Sequence, residues 1–184
     1  MYKGEKRIEG EQNPIRDPNV GIQKISKGGD DVADFAGSFE HSLDAKGRVI
    51  IPMDYRQDLG EDFAIALNGS ASAVALYPQE EWLKLKARMA RISVTDKKGM
   101  EFKRFFNGNA FPGNTMDAQG RVLLPAKLRT LIGISKDLVF VGMGETVEIW
   151  DAQKHAQSEQ ETRMNIDELA QHMEDRYSEP APQP

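Results

Sequence analysis

The chain has 184 residues, a formal net charge of −5 and no cysteine. The lack of cysteine excludes disulfides and thiolate metal sites. No apolar run approaches the roughly 20 residues that a membrane-spanning helix needs. The first residues also lack the apolar stretch of a secretory signal, so we expect a soluble, cytoplasmic protein.

The negative charge is concentrated near the C-terminal end of the chain. Residues 155–184 carry 2 basic and 7 acidic side chains, whereas residues 35–154 carry 16 basic and 15 acidic ones. A nearly neutral core binds nucleic acid only if its positive charge is gathered on one face. The overall charge therefore does not exclude a nucleic-acid partner.

One segment of the chain is repeated after 73 residues. Asp44–Pro52 reads DAKGRVIIP and Asp117–Pro125 reads DAQGRVLLP. The same offset gives ten identities in the 35 positions of residues 44–78, without a gap. Two copies of a unit that cannot close alone predict one shared barrel, because each copy then covers the open strand edges of the other.

Each copy is predicted to contain the same elements. Asp followed by Gly three residues later is typical of a hairpin turn, in which Gly supplies the positive φ. A strand precedes the turn, an aliphatic run stopped by proline follows it, and a short helix and two strands complete the unit. These elements are Gly37–Leu43, Asp54–Leu59, Phe63–Leu67 and Ala73–Tyr77, then Ala110–Met116, Ala126–Ile132, Leu138–Val141 and Thr146–Trp150. The aliphatic runs are predicted to be core: Val49, Ile50, Ile51, Val122, Leu123 and Leu124.

A helix is predicted between the copies. It starts after Pro78, and its apolar residues Trp82, Leu85, Met89 and Ile92 fall at spacings typical of one helix face. A polar linker, Ser93–Gly99, and a second short helix, Met100–Phe106, are expected to follow. Asp151 is a candidate cap for a helix after the second copy.

The repeat divides the chain into four predicted parts. They are a flexible extension (1–34), a first repeat with its helix (35–98), a second repeat (99–155) and an acidic tail that is partly helical or disordered (156–184).

The motif pair closely resembles the MraZ family of bacterial regulators. The resemblance rests on His41–Pro52 and its partner Asn114–Pro125, and it extends over roughly residues 35–150. It implies a mainly β fold with short helices (α+β). In that fold two AbrB-like repeats form one swapped-hairpin, double-psi-like barrel, with a helix between and after the repeats. It also implies a ring-shaped homo-oligomer.

The resemblance further implies a function. Proteins of this family bind short G-rich direct repeats in double-stranded DNA, upstream of the division and cell-wall gene cluster, and regulate that cluster together with their own gene. We therefore expect a nucleoid-associated transcription regulator, most simply a repressor.

Three basic residues are candidates for DNA binding. Arg48 lies beside the turn glycine, and an arginine can pair bidentately with guanine, which suits a G-rich site. Lys46 at the turn tip suits a phosphate contact. Arg121 mirrors Arg48, but the second turn carries Gln119 where the first has Lys46, so a structural or interface role for Arg121 stays open. An Asp44–Arg48 ion pair that only braces the turn is the alternative for Arg48.

Other residues are expected to build the turn motif. Asp44, Gly47, Asp117 and Gly120 form the turns, while Arg56 and Arg129 are expected to pair with carboxylates in the barrel or an interface; all six are assigned structural roles. No nucleophile elbow, phosphate loop or metal-ligand spacing is present, so we expect no catalytic residue, cofactor, metal or small-molecule substrate. A protein-interaction module of antitoxin type, capping a protein partner, is the alternative function, since the acidic tail and net charge fit it.

Overall fold

The computed structural model describes residues 33–177. The predicted flexible extension, except for its last two residues, and the segment Ser178–Pro184 lie outside the described residues.

The first copy begins with a strand and a hairpin turn. Its elements are β1 (Ser38–Ser42), β2 (Arg48–Ile50), α1 (Met53–Leu59), β3 (Phe63–Leu67) and β4 (Val74–Pro78), followed by the helices α2 (Gln79–Ala90) and α3 (Lys97–Gly108). Proline precedes both α1 and α2. Its fixed φ is compatible with a helix start, and it cannot continue the ladder of the strand before it.

The second copy repeats this order. Its elements are β5 (Phe111–Asn114), β6 (Arg121–Leu123), α4 (Ala126–Ile132), β7 (Asp137–Gly142) and β8 (Val147–Asp151), followed by α5 (Ala152–Met164) and α6 (Ile166–Tyr177). The offset of 73 residues relates the first residues of β2 and β6, of α1 and α4, of β4 and β8, and of α2 and α5. The predicted cap of α5 is confirmed, because Asp151 Oδ1 accepts hydrogen bonds from the N–H groups of Gln153 and Lys154.

Helix α3 begins earlier than the sequence predicts. Asp96 caps it by accepting a hydrogen bond from the Gly99 N–H at 3.0 Å, so the helix starts at Lys97. The predicted linker Ser93–Gly99 is therefore wrong at its C-terminal end. The side-chain cap outweighs the low helix propensity of Gly99.

The two copies exchange strands. The six-stranded antiparallel sheet has the order β1-β7-β8-β4-β3-β5, so the first strand of each copy pairs with the third strand of the other. The short strands β2 and β6 pair with each other in a separate two-stranded sheet. The α+β class, the duplication and the exchange are confirmed. Within the described residues, however, the strands form two sheets and not one closed barrel, because β2 and β6 pair with each other and with no strand of the larger sheet.

The main hydrophobic core is shared by both copies. Ile51 and Leu124, the last aliphatic residues after the two turns, are fully buried in it, as are Phe63 of β3 and Phe140 of β7. A smaller cluster lies beneath α2 and α3, where Trp82, Met89 and Phe106 pack on two alanines of β3: Ala64 and Ala66. The tryptophan is thus a packing residue, as the helical spacing predicts.

Two of the residues predicted as core are exposed. Ile50 is 46% and Leu123 is 55% exposed, although both lie in the aliphatic runs. Side chains alternate between the two faces of a strand, and only one face of the β2–β6 pair is covered by the core. No helix among residues 33–177 is long and apolar enough to cross a membrane.

Candidate nucleic-acid interface

The first turn is closed by one aspartate. Asp44 Oδ1 accepts hydrogen bonds from the backbone N–H groups of Lys46 and Arg48, at 2.8 and 2.9 Å. Its Oδ2 lies 2.7 Å from Nε and 2.6 Å from Nη2 of Arg48. Gly47, with a φ of +78°, occupies the position at which the chain rejoins the strand. The carboxylate therefore fixes both the turn and the direction of the arginine.

The second turn has the same geometry. Asp117 Oδ1 accepts from the N–H groups of Gln119 and Arg121 at 2.9 and 3.0 Å, and its Oδ2 lies 2.8 Å from Nε and 2.7 Å from Nη2 of Arg121. Gly120 has a φ of +73°. The aspartates and glycines of the two turns thus make equivalent contacts in both copies.

These hydrogen bonds lower the pKa of both aspartates to about 2. For Asp44 the backbone N–H of Arg48 contributes most, followed by the guanidinium of Arg48. For Asp117 the guanidinium of Arg121 contributes most, followed by the Arg121 backbone N–H. Both carboxylates are consequently ionised at neutral pH, and each arginine has a constant counter-charge. Each aspartate contacts Nε and Nη2 of its arginine. A guanidinium has five N–H groups, and those that do not point at the aspartate are available to a ligand.

The two arginines lie on one surface. In the β2–β6 register, Arg48 pairs with Leu123 and Arg121 pairs with Ile50. These four side chains share the face opposite the buried valine at the centre of each strand. The structure therefore brings two of the predicted DNA-binding residues, which are 73 positions apart, onto one exposed face with two aliphatic neighbours.

Hydrogen bonds between the copies hold the turns in place. The Ile51 N–H donates to the carbonyl of Gly120 at 2.9 Å, and the Leu124 N–H donates to the carbonyl of Gly47 at 3.0 Å. Each turn is thus attached to the buried end of the other copy's aliphatic run. The position of one turn depends on the folding of the other copy.

The predicted carboxylate partners of Arg56 and Arg129 are replaced by main-chain carbonyls. Arg56 Nε donates to the Ile51 carbonyl at 3.0 Å, and Arg129 Nε donates to the Leu124 carbonyl at 3.1 Å. Each guanidinium also packs against the turn glycine of the other copy, Arg56 on Gly120 and Arg129 on Gly47. Glycine is needed there for its positive φ and because a Cβ would overlap the guanidinium.

A cleft of about 400 Å³ lies beside the first turn. It is lined by residues 43–47 of the first copy and by Arg129, Ser135 and Lys136 of the second. Lys46 is exposed at its rim. The sequence did not single out Lys136, because it lies between α4 and β7, far from either motif, and only the pairing of the copies places it here. Within residues 33–177, no group of three or more histidine, aspartate and glutamate side chains is arranged to hold a metal ion.

The fold and this surface define a class of protein: a duplicated chain with exchanged strands that presents two braced Asp-x-x-x-Arg turns. A family model described as "MraZ protein, putative antitoxin-like" matches residues 35–105 and 113–177. The chain therefore belongs to the MraZ family.

Individual relatives agree with this assignment. A protein named transcriptional regulator MraZ from Thermoanaerobacter sp. (strain X514) is 38% identical over 139 residues, which cover 76% of this chain and 96% of the relative. The protein of that name from Lactiplantibacillus plantarum is 42% identical over 141 residues, covering 77% and 99%. The one from Acetivibrio thermocellus is 39% identical over 139 residues, covering 76% and 96%.

Proposed function

We propose that this protein is a sequence-specific DNA-binding regulator that represses transcription. Its targets would be G-rich direct repeats upstream of the division and cell-wall gene cluster, including its own gene. It would act in the cytoplasm, associated with the nucleoid and without enzymatic activity. The names of its relatives support regulation of transcription. The observation that carries the proposal is the exposed face on which Arg48 and Arg121 are held by ionised aspartates.

The two basic residues of the first turn have separate roles in this proposal. Arg48 donates a pair of hydrogen bonds to O6 and N7 of a guanine in the major groove, and its brace to Asp44 reduces the entropy lost on binding. Lys46 contacts a backbone phosphate, which positions the turn without reading sequence. Arg121 makes the equivalent base contact from the second turn.

Substitution of Arg48 tests the proposal. We expect Arg48→Ala to weaken binding to a duplex with three G-rich repeats by about 10- to 100-fold per engaged turn, since a bidentate guanine pair contributes about 1–3 kcal/mol. Fluorescence anisotropy at two salt concentrations measures this, and wild-type affinity should fall steeply with salt. Arg163→Ala is a matched control, because that arginine is 80% exposed on α5.

Arg48→Lys separates base recognition from the turn brace. Lysine retains the charge and an ion pair with Asp44 but cannot present two parallel donors. We expect it to lose preference for the G-rich duplex while binding mixed-sequence DNA nearly as well as wild type. Full specific binding by Arg48→Lys would show that the planar guanidinium is not required for recognition, and equal binding by Arg48→Ala and wild type would leave the arginine as a turn brace only.

The proposed regulator is a ring-like homo-oligomer. Four apolar side chains lie on one face of α6 and are 44–67% exposed: Ile166, Leu169, Met173 and Tyr177. The same helix carries four acidic residues and one basic residue: Asp167, Glu168, Glu174, Asp175 and Arg176. An exposed apolar stripe on an acidic helix fits a basic partner surface with apolar side chains of its own.

Helix α3 of a second copy offers such a surface. Phe102 and Phe105 are each 46% exposed there, and Lys97, Lys98 and Arg104 are exposed beside them. We assign α3 of a neighbouring copy as the partner of α6. Since the two surfaces differ, this contact is head-to-tail, and head-to-tail contacts generate a ring when the rotation between copies closes.

A charge on either surface should break the ring. We expect Leu169→Asp and Phe105→Asp each to lower the molar mass measured by light scattering after size exclusion toward that of a single chain, because a carboxylate would lose its hydration among the apolar side chains of the contact. Gln171→Asp adds the same charge on the other face of α6 and should leave the mass unchanged. An unchanged mass in both interface variants would exclude these helices as the contact.

The alternative function is an antitoxin-like module that caps a protein partner. The description of the matching family model also contains the term antitoxin-like. A wild-type protein that binds neither the G-rich nor a mixed-sequence duplex at low salt, and instead forms a stoichiometric complex with a co-expressed protein, would favour this alternative.

A further inference from the structure

The cleft beside the first turn carries an unusual concentration of positive charge. Lys46 comes from the turn itself, while Arg129 and Lys136 come from the second copy. The Leu43 N–H donates to the Lys136 carbonyl at 2.9 Å, which fixes the backbone of Lys136 against the base of the turn. Arg129 is fixed by its bond to the Leu124 carbonyl.

The charges of these basic residues are not neutralised locally. In the described part of the chain, neither Lys46 nor Lys136 forms an ion pair with a carboxylate. Asp44 also lines the cleft, but its Oδ2 is occupied by Arg48 and its Oδ1 by two backbone N–H groups. Three basic residues therefore line one open cleft together with a single carboxylate that is already engaged, and a surplus of positive charge of this kind attracts a phosphate group.

The equivalent position beside the second turn is different. Strand pairing joins Leu138 to His41 and Phe63 to Asn114, and His41 and Asn114 are equivalent by the offset of 73. Phe63 therefore corresponds to Leu138, while Gly60 corresponds to Gly133 by the offset of 73. The second copy thus has four residues between these positions where the first has two, and Lys136 lies in this longer segment.

The counterparts of the other two cations complete the comparison. Gln119 replaces Lys46, and Arg56 corresponds to Arg129. The second turn thus keeps the arginine and has a neutral amide in place of the turn-tip lysine.

We propose that the cleft formed by Lys46, Arg129 and Lys136 is a subsite for a DNA backbone phosphate, and that the two turns of one chain therefore bind DNA unequally. This inference rests on the proposed DNA-binding function and extends it. The first turn binds both a base and a phosphate, whereas the second binds a base without this phosphate anchor. A phosphate contact affects all sequences alike, so the cleft adds affinity and salt dependence but not specificity.

Lys136→Gln tests the subsite. We expect this variant to weaken binding to G-rich and mixed-sequence duplexes by a similar factor of about three to ten, and to reduce the slope of log affinity against log salt by about 1 per engaged chain. Lys86→Gln on α2 removes the same charge outside the cleft and should change the affinity less than twofold. Size exclusion and thermal unfolding verify that both variants are folded and assembled like wild type.

The reverse change gives an independent readout. Gln119→Lys places at the tip of the second turn the charge that Lys46 gives the first, and we expect tighter binding with a steeper salt slope. If wild type binds DNA and the affinity of Lys136→Gln equals that of Lys86→Gln, the subsite is overturned and the proposed function stands. Absence of wild-type binding to either duplex would overturn the proposed function, and the subsite with it.

Discussion

Replacing Gly120 by alanine is expected to lower the free energy of unfolding by about 2–4 kcal/mol. About 1–2 kcal/mol comes from placing an L residue at a φ of +73°. The rest arises because the new Cβ would overlap the guanidinium of Arg56, which cannot move away without losing its hydrogen bond to the Ile51 carbonyl. Denaturant unfolding at a fixed chain concentration measures the change.

Two further glycines serve as references for this prediction. Gly144 also has a φ of +73°, but no atom lies within 4 Å of the position of an added Cβ. Gly144→Ala should therefore lower the free energy of unfolding only by the backbone contribution of the positive φ, about 1–2 kcal/mol. Gly47→Ala should resemble Gly120→Ala, because its Cβ would lie 2.7 Å from Nη2 of Arg129. If Gly120→Ala and Gly144→Ala lower the free energy of unfolding equally, the packing of Arg56 on Gly120 does not contribute to stability.

Leu124→Ala is expected to destabilise the protein by about 2–5 kcal/mol. Leu124 is fully buried in the core shared by both copies, so truncation removes apolar contacts and leaves a cavity. Its backbone N–H also holds the first turn through the Gly47 carbonyl. Because a domain is typically stable by only about 5–15 kcal/mol, a loss of this size should lower the unfolding temperature strongly.

The preceding residue gives a matched comparison. Leu123 has the same side chain but is 55% exposed, so Leu123→Ala should change the free energy of unfolding by less than about 0.5 kcal/mol. Ile51→Ala, at the equivalent buried position of the first copy, should resemble Leu124→Ala. Similar losses for Leu123→Ala and Leu124→Ala would contradict the assignment of the two faces of β6.

Much of the local structure could be predicted from the sequence. The Asp and Gly of each turn, the proline after each aliphatic run and the apolar stripe of α2 act over a few residues, so the elements follow from local chemistry. The Asp96 cap of α3 is also local but was missed, because Gly99 was read as part of a linker.

The candidate site could be predicted only in part. The Asp-x-x-x-Arg spacing identified Arg48 and Arg121, and the structure places them together. The carbonyl partners of Arg56 and Arg129 could not be predicted, since these arginines cross to the turn of the other copy. Nor could the position of Lys136, because it depends on the register in which β7 pairs with β1.

The sequence by itself determined the duplication, the two turns and the order of helices and strands in each copy, because these depend on residues close together in the chain. Only the tertiary structure decided which strands pair, that Ile50 and Leu123 face solvent, and that Arg129 and Lys136 line a cleft beside the first turn. The physical reason is the exchange of strands between the copies. The main core is shared by both copies, so each turn packs against residues of the other copy that are distant in the chain.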